Sequence, residues 1–325
     1  MPIRQLALLA LTATTVVAQT PPRRAHHSLV YDAAGKRVLL WGGSSPHENG
    51  DCCAFFNDLW AFDGTRWTSL GESGARVSGV GLAYDARQNR VVAFGGYTPG
   101  PSGGVSIGDI RTLENDTWKV HGQHPEITAA EPGFVYDIQR QRFVTFGGSG
   151  GRGLAHGQLW EWDGTSWHRA TAEGPRARQA HVMVFDSRRN RMVVFGGMGT
   201  ISAGQPPERF GDTWEFDGRT WQQFQVAGPP ARAAAGATFD SKRGVVVIFG
   251  GMTDSGMLGD TWAWNGAEWR KLADSGPDAR AMGHLAYDAH RDRVVLFGGR
   301  KGWPNDLNDT WEWDGTAWHR VATRP

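Results

Sequence analysis

The chain has 325 residues, with 34 Lys or Arg against 33 Asp or Glu, for a formal charge of +1 with histidines neutral. That balance speaks against nucleic-acid binding or a polybasic membrane-surface role, both of which draw on a basic excess gathered on one face. Gly (45) and Trp (16) are abundant, and helix formers never accumulate with helical periodicity, so many short strands joined by glycine turns are expected.

Residues 1–18 read as an export signal. Arg4 supplies a positive start, Leu6 to Ala18 a short apolar stretch, and Val16 and Ala18 the −3 and −1 positions of a cleavage site before Gln19. Three threonines, and a length below the ~20 residues that span a bilayer, argue against an anchor. No later apolar run is long enough for a membrane helix. The expectation is a periplasmic or extracellular protein with no stable membrane insertion once the signal is removed.

From there the chain repeats. A glycine pair after a hydrophobic run recurs at Gly42-Gly43, Gly95-Gly96, Gly147-Gly148, Gly196-Gly197, Gly250-Gly251 and Gly298-Gly299, at steps of 53, 52, 49, 54 and 48 residues. Runs such as Val245-Val246-Val247-Ile248-Phe249 are β-branched and continuously apolar, as a strand buried on both faces should be. Asp63-Gly64, Asp163-Gly164, Asp217-Gly218 and Asp314-Gly315, with Asn265-Gly266 as an equivalent, mark hairpins between two aromatic strands. The aromatics sit seven apart: Trp60/Trp67, Trp160/Trp167, Trp214/Trp221, Trp262/Trp269 and Trp311/Trp318. The second unit departs, with Arg111 where the first Trp belongs and Trp118 retained.

The hydrophobic run, glycine pair and spaced aromatics resemble the kelch motif over nearly everything after the signal. The resemblance implies an all-β fold: a six-bladed kelch-type β-propeller with four antiparallel strands per blade around a central channel. Residues 19–325 form this single domain, with blades near 23–70, 75–121, 127–171, 176–224, 230–272 and 278–322. The units run in frame from a first strand near Arg24 to a fourth near Trp318–Val321. The ring is therefore expected to close by packing of blade six on blade one, and that seam to be the place most prone to opening.

Strand order sets polarity. The turns after the first strands and the Asp-Gly hairpins share a lower face. The loops after the glycine pairs share an upper face: Ser44–Phe56, Tyr97–Ile107, Ser149–His156, Met198–Phe210, Met252–Leu258 and Arg300–Leu307. These loops vary while the lower turns repeat, so the upper face is the expected functional face.

Candidate ligand-binding residues are those that break the pattern or reach this face. Fourteen tryptophans occupy repeat positions on the third and fourth strands, and Trp41 precedes a glycine pair; these read as packing. Trp303 alone lies in an upper loop, and Tyr97 is the tyrosine outside a repeat position. Arg24, Arg76, Arg178, Arg232 and Arg280 open the first strands near the upper channel mouth. They are read either as an anion-attracting ring or as scaffold residues paired within the blades. The third unit has Thr128-Ala129 there, with Glu126 and Glu131 nearby, which makes the mouth asymmetric. A second location lies among Arg111, His121, His124 and His156 in units two and three, whereas His27 and His181 hold a repeat position and read as structural. Cys52 and Cys53 form either a vicinal disulfide or two thiols that are free or bonded to another chain. His47, Glu48 and Asp51 beside them resemble a metal site in composition only, without a ligand-spacing motif, so no metal or cofactor is assigned.

Two functions compete. A non-catalytic module would bind a protein or glycan through its upper loops; no nucleophile-elbow, phosphate-loop or metal-ligand signature opposes it. The alternative is an enzyme similar to the sialic acid mutarotases, exported kelch propellers, with an Arg-lined mouth and Glu126 or Glu131 as general acid–base. Copper-radical oxidases of the galactose oxidase type share the fold, but they need tyrosine and histidine copper ligands plus a cysteine cross-linked to tyrosine, whereas here Cys52 and Cys53 are adjacent and only Tyr97 lies outside the repeat.

Overall fold

The computed structural model describes residues 20–47, 52–100, 103–124, 126, 128–202 and 204–322; the export-signal segment 1–18 lies outside them. Six four-stranded antiparallel sheets each take their strands in chain order, with a short two-stranded hairpin inserted between the second and third strands in blades one, two, five and six. Blade one is typical, with strands Ser28–Asp32, Arg37–Trp41, Asp58–Phe62 and Trp67–Glu72 in that spatial order. The first strands of the other blades are Gly81–Asp85, Gly133–Asp137, Val182–Asp186, Gly236–Asp240 and His284–Asp288. Each first strand neighbours those of the blades on either side, the sixth next to the first, so they ring a central channel. This is a six-bladed β-propeller. Among the described residues no helix is long and apolar enough to cross a membrane.

The second strands are the most buried because both faces of a blade pack on neighbouring blades. Val38, Leu40, Val92, Phe94, Val193, Val247, Leu296 and Phe297 are all sealed from solvent. Each fourth-strand tryptophan lies on the preceding blade: Trp118 stacks on Trp41 at 4.3 Å, Trp269 lies 4.9 Å from Phe195 and Trp318 5.2 Å from Phe249. Charged and polar residues on the exposed outer strands, such as Lys119, Arg169, Arg270 and Arg320, protect these edges from pairing with other chains.

The glycine pairs are required by close approach. Gly42 and Gly43 have φ of +66° and +98°, and a Cβ on Gly43 would lie 2.9 Å from the Ala25 carbonyl oxygen. The hairpins use side-chain acceptors: Asp63 Oδ1 takes the amides of Thr65 and Arg66 at 2.8 and 2.9 Å, and Asp163, Asp217, Asn265 and Asp314 repeat the motif.

Blade six packs directly on blade one, and the seam is as well bonded as its neighbours. Trp67 Nε1 donates to Thr310 Oγ1 at 2.9 Å, as Trp269 does to Thr213 and Trp318 to Thr261, both at 2.8 Å. Arg24 N–H donates to the Leu307 carbonyl at 3.0 Å and Gly299 N–H to the Arg24 carbonyl at 2.9 Å. Blades one, two and three carry Leu59, Ile110 and Leu159 where blades four to six carry these threonines, and Trp118 Nε1 is left without a partner. The bonds across the six–one seam thus match those of blades four to six, and the seams lacking this tryptophan–threonine bond are those between blades one and two, two and three, and three and four. Hydrogen exchange should show strands of blades one and six protected like those of blade five, and the outer strand Thr117–Gln123 of blade two exchanging fastest. Faster exchange at the six–one seam would contradict this.

Candidate functional site

The arginines do not form a ring in the channel. Arg24, Arg178, Arg232 and Arg280 are buried inside their blades. Each forks onto an aspartate that opens the third strand of its own blade: Asp58 (2.6 and 2.7 Å), Asp212 (2.7 and 2.9 Å), Asp260 (2.6 and 2.9 Å) and Asp309 (2.5 and 2.9 Å). Each also donates to the first carbonyl of the glycine pair, at 2.9–3.0 Å from Gly42, Gly196, Gly250 or Gly298. The same aspartate takes the indole N–H of the tryptophan two residues on, as Asp58 does from Trp60 at 2.7 Å. Burial raises Asp212, Asp260 and Asp309, but the guanidinium hydrogen bonds and charge together with the indole N–H overcome it and hold all three below the usual carboxylate range. The scaffold reading of these residues holds.

The departures in blades two and three are compensated charge swaps. Backbone pairing puts Val77, not Arg76, at the arginine position of blade two: Gly43 N–H donates to the Val77 carbonyl as Gly197 does to that of Arg232. Arg76 is exposed, one residue out of register. Asp109 would be left unpaired, but Arg111, standing in the tryptophan's place, donates to it at 2.5 Å and lies 5.8 Å from the Trp41 ring. In blade three both charges vanish together, leaving Ala129 and Gln158. Arg111 is thus an internal counter-ion. His124 packs between Trp160 and Trp167, at 4.4 and 4.7 Å. Glu126 is exposed, and His156 Nε2 donates to the Thr128 carbonyl at 3.1 Å, so these residues do not converge.

What does converge is at the upper mouth. The six residues ahead of the first strands adopt left-handed backbone: His26, Gly79, Glu131, Ala180, Ala234 and Met282, with φ between +50° and +59°. They link blade to blade, Gly79 N–H donating to the His26 carbonyl at 2.7 Å, Glu131 to Gly79 at 2.8 Å, and Met282 to Ala234 at 2.9 Å. Below them lies a cavity of about 80 Å³ lined by His26, Glu131, His181, Met282 and His284. His26 Nδ1 donates to Glu131 Oε1 in a short hydrogen bond that crosses over Gly79, where a side chain would strike both Glu131 and Tyr97. Burial raises the Glu131 carboxyl, but the His26 charge and hydrogen bond overcome this and leave it lowered. Tyr97 pairs with Ser78 as the residue after each glycine pair does, so it holds a repeat position after all. Its phenol is pushed well up by burial and by Glu131, against hydrogen bonds with Ser78 and Ser44.

The residues after the glycine pairs are Ser44, Tyr97, Ser149, Met198, Met252 and Arg300. The mouth is therefore polar on blades six, one, two and three and apolar on blades four and five. Arg300 is buried against Asp306 at 2.6 Å, and Trp303 covers its guanidinium at 4.7 Å with half the indole surface exposed. Cys52 and Cys53 are joined as a disulfide across a cis peptide bond. Of the metal-like residues beside them, Glu48 and Asp51 lie outside the described residues.

Of the candidates read from the sequence, the mouth brings together Glu131 and Tyr97, with Trp303 above Arg300. It adds His26, His284, Ser78 and Arg300, which sequence reading missed. A signal was present: His26 alone is ionisable besides Glu131 among the six aligned positions. The aspartate partners were also legible, because the one unit with Gln158 in their place is the one with Ala129.

Residues 138–324 match the KLHDC2/KLHL20/DRC7 Kelch-repeats domain. The chain belongs to this kelch-repeat family. A segment of 156 residues is 33% identical to the flagellar outer arm dynein alpha chain of Chlamydomonas reinhardtii, covering 43% of this chain and 3% of that protein. The shared part is thus a small fraction of the dynein chain.

Proposed function

We propose that this kelch propeller is a non-catalytic interaction module that binds a protein partner across its upper face. The observation that carries the reading is the commitment of the buried arginines to intrablade aspartates, which among the described residues leaves no convergent guanidinium groups at the mouth for an anionic sugar. The mouth cavity, about 80 Å³, is also small beside the ~300–1,000 Å³ of typical small-molecule sites. Loops two to four supply the alternative. Val105, Leu154 and Ile201 are 50%, 56% and 47% exposed. Ser106 Oγ donates to the Ser149 carbonyl at 3.2 Å and Ile201 N–H to the Gly153 carbonyl at 3.1 Å, so these loops form one tied surface. Apolar side chains held rigidly on a polar face suit protein recognition. The leader at 1–18 supports placing the partner outside the cytoplasm.

The test is quantitative crosslinking capture with three proteins: the wild type, a Val105→Asp/Leu154→Asp/Ile201→Asp variant, and an Ile138→Asp lower-face control. Partners are expected with the wild type and the control and to be lost from the triple variant, whose stability changes by no more than about 0.5 kcal/mol per site. Equal recovery by all three would remove the upper face from the reading. A glycan reading rests on Trp303 alone; binding on a glycan array that Trp303→Ala abolishes would favour it.

A further inference from the structure

The lower face contains one internal comparison that points to a ligand site. In blades three to six the aspartate ending the first strand is followed three residues later by an arginine: Asp137 and Arg140, Asp186 and Arg189, Asp240 and Arg243, Asp288 and Arg291. Each guanidinium is anchored by its aspartate at 2.7 Å and fills the gap beneath the next blade's hairpin. Arg140 reaches the Gly218 carbonyl at 3.4 Å and Arg243 the Asp314 carbonyl at 2.5 Å. A Cβ on the hairpin glycines Gly218, Gly266, Gly315 and Gly64 would collide with Arg140, Arg189, Arg243 and Arg291 in turn. Blade one lacks this arginine, but Arg37 reaches Asp116 of blade two at 2.9 Å instead.

Blade two has Gln88 at this position. Between blades two and three the same gap is a cavity of about 250 Å³ lined by Asp85, Gln88, Tyr136, Phe143, Asp163 and Gly164. A Cβ on Gly164 would meet nothing within 4 Å. We propose that this cavity binds a guanidinium group on an alkyl stem, held where four other blade junctions hold their own arginine.

Part of the acceptor set is in place: Arg140, Arg189 and Arg291 also reach the third-strand glutamates Glu161, Glu215 and Glu312, and blade two has Thr112 at that position. Asp85 is buried: its Oδ1 takes the amides of Arg87 and Gln88 at 3.0 and 3.2 Å, its Oδ2 makes a long ion pair with Arg90 at 3.4 Å that a better-placed guanidinium would have to share, and the Tyr136 hydroxyl bonds to the same carboxylate. The hairpin presents the carbonyls that Arg140 and Arg243 use at the equivalent junctions. Tyr136 and Phe143 supply an apolar wall for the stem. Arg87 and Arg90 also line the cavity, yet like charge does not bar the site: Arg189 binds Asp186 at 2.7 Å with Arg188 and Arg191 in the same turn. A planar guanidinium fits a carboxylate and carbonyls in one plane, whereas an ammonium offers a single point of charge.

The site is on the face opposite the proposed partner surface and stands or falls separately. Agmatine, putrescine and a blocked Ala-Arg-Ala peptide are titrated into the full chain by calorimetry, with the Gln88→Arg variant and a Gln222→Arg surface control. Agmatine is expected to bind saturably and at least about tenfold more tightly than putrescine. That binding should persist in Gln222→Arg and disappear in Gln88→Arg, which fills the cavity from within and should melt no lower than the wild type. Peptide binding alongside agmatine would identify a partner's arginine side chain as the occupant, and agmatine alone a free small guanidine. No saturable binding, equal affinity for putrescine, or unchanged binding in Gln88→Arg would overturn the assignment.

Discussion

Arg232→Ala is expected to lower the unfolding free energy by about 3–5 kcal/mol, the usual cost of breaking a buried pair from one side. Arg232 is sealed from solvent, and its removal leaves the Asp260 carboxylate without a counter-charge, held by the Trp262 indole and its own backbone amide. It also orphans the Gly250 carbonyl, to which Arg232 donates at 2.9 Å. The double variant Arg232→Ala/Asp260→Gln should recover most of this loss, because it recreates the Ala129/Gln158 pair that blade three already tolerates. Urea unfolding of the two single variants and the double variant, analysed as a cycle, measures the coupling. A double variant as unstable as the sum of the singles would show that blade three survives for some other reason.

Acid is expected to unfold the propeller early. Burial lowers His27 well below its ordinary value, His181 to about 3 and His284 to about 4, with the cations around His27 and His181 adding to the effect. A histidine whose folded pKa lies below the unfolded value of ~6.5 takes up its proton in the unfolded chain first. Stability is therefore fully present above about pH 6.5 and is lost as pH falls toward about 4, by at most about 1.4 kcal/mol per pH unit for each such residue. Glu131 acts in the same direction. Its pKa is lowered, so its pairing with His26 contributes above the ordinary carboxyl range and is lost as the carboxylate protonates. Urea midpoints between pH 8 and 4 should fall along this course, and His181→Gln should flatten the profile. A midpoint independent of pH over this range would contradict the buried, neutral state of these rings.

Much of the scaffold was legible because its causes are local. A β-branched run, a glycine pair in left-handed backbone and an Asp-Gly hairpin each depend on a few neighbouring residues, and six repetitions make them unmistakable. The tryptophans were read correctly as packing for the same reason. The site was less legible. Arg24 and its equivalents looked like channel residues because the pattern shows where a side chain starts but not which way it turns. The pairing with Asp58, 34 residues on, depends on how the third strand returns beside the second. Arg76 was misplaced by one residue, since only the bridge between Ser78 and Tyr97 sets the register of that blade.

The sequence by itself determined the six-bladed, all-β, kelch-repeat architecture and the division into repeating lower turns and variable upper loops. Hydrophobic period and turn chemistry act within some fifty residues, and that is the length of one blade. Tertiary structure alone decided what meets across blades. His26 and Glu131 are 105 residues apart and touch because ring closure brings blades one and three around the same mouth. The gap beside Gly164 exists because Gln88 is too short to cross to the next blade, as Arg140 and Arg243 do at their junctions. Both depend on the angle between adjacent sheets, which no single repeat encodes.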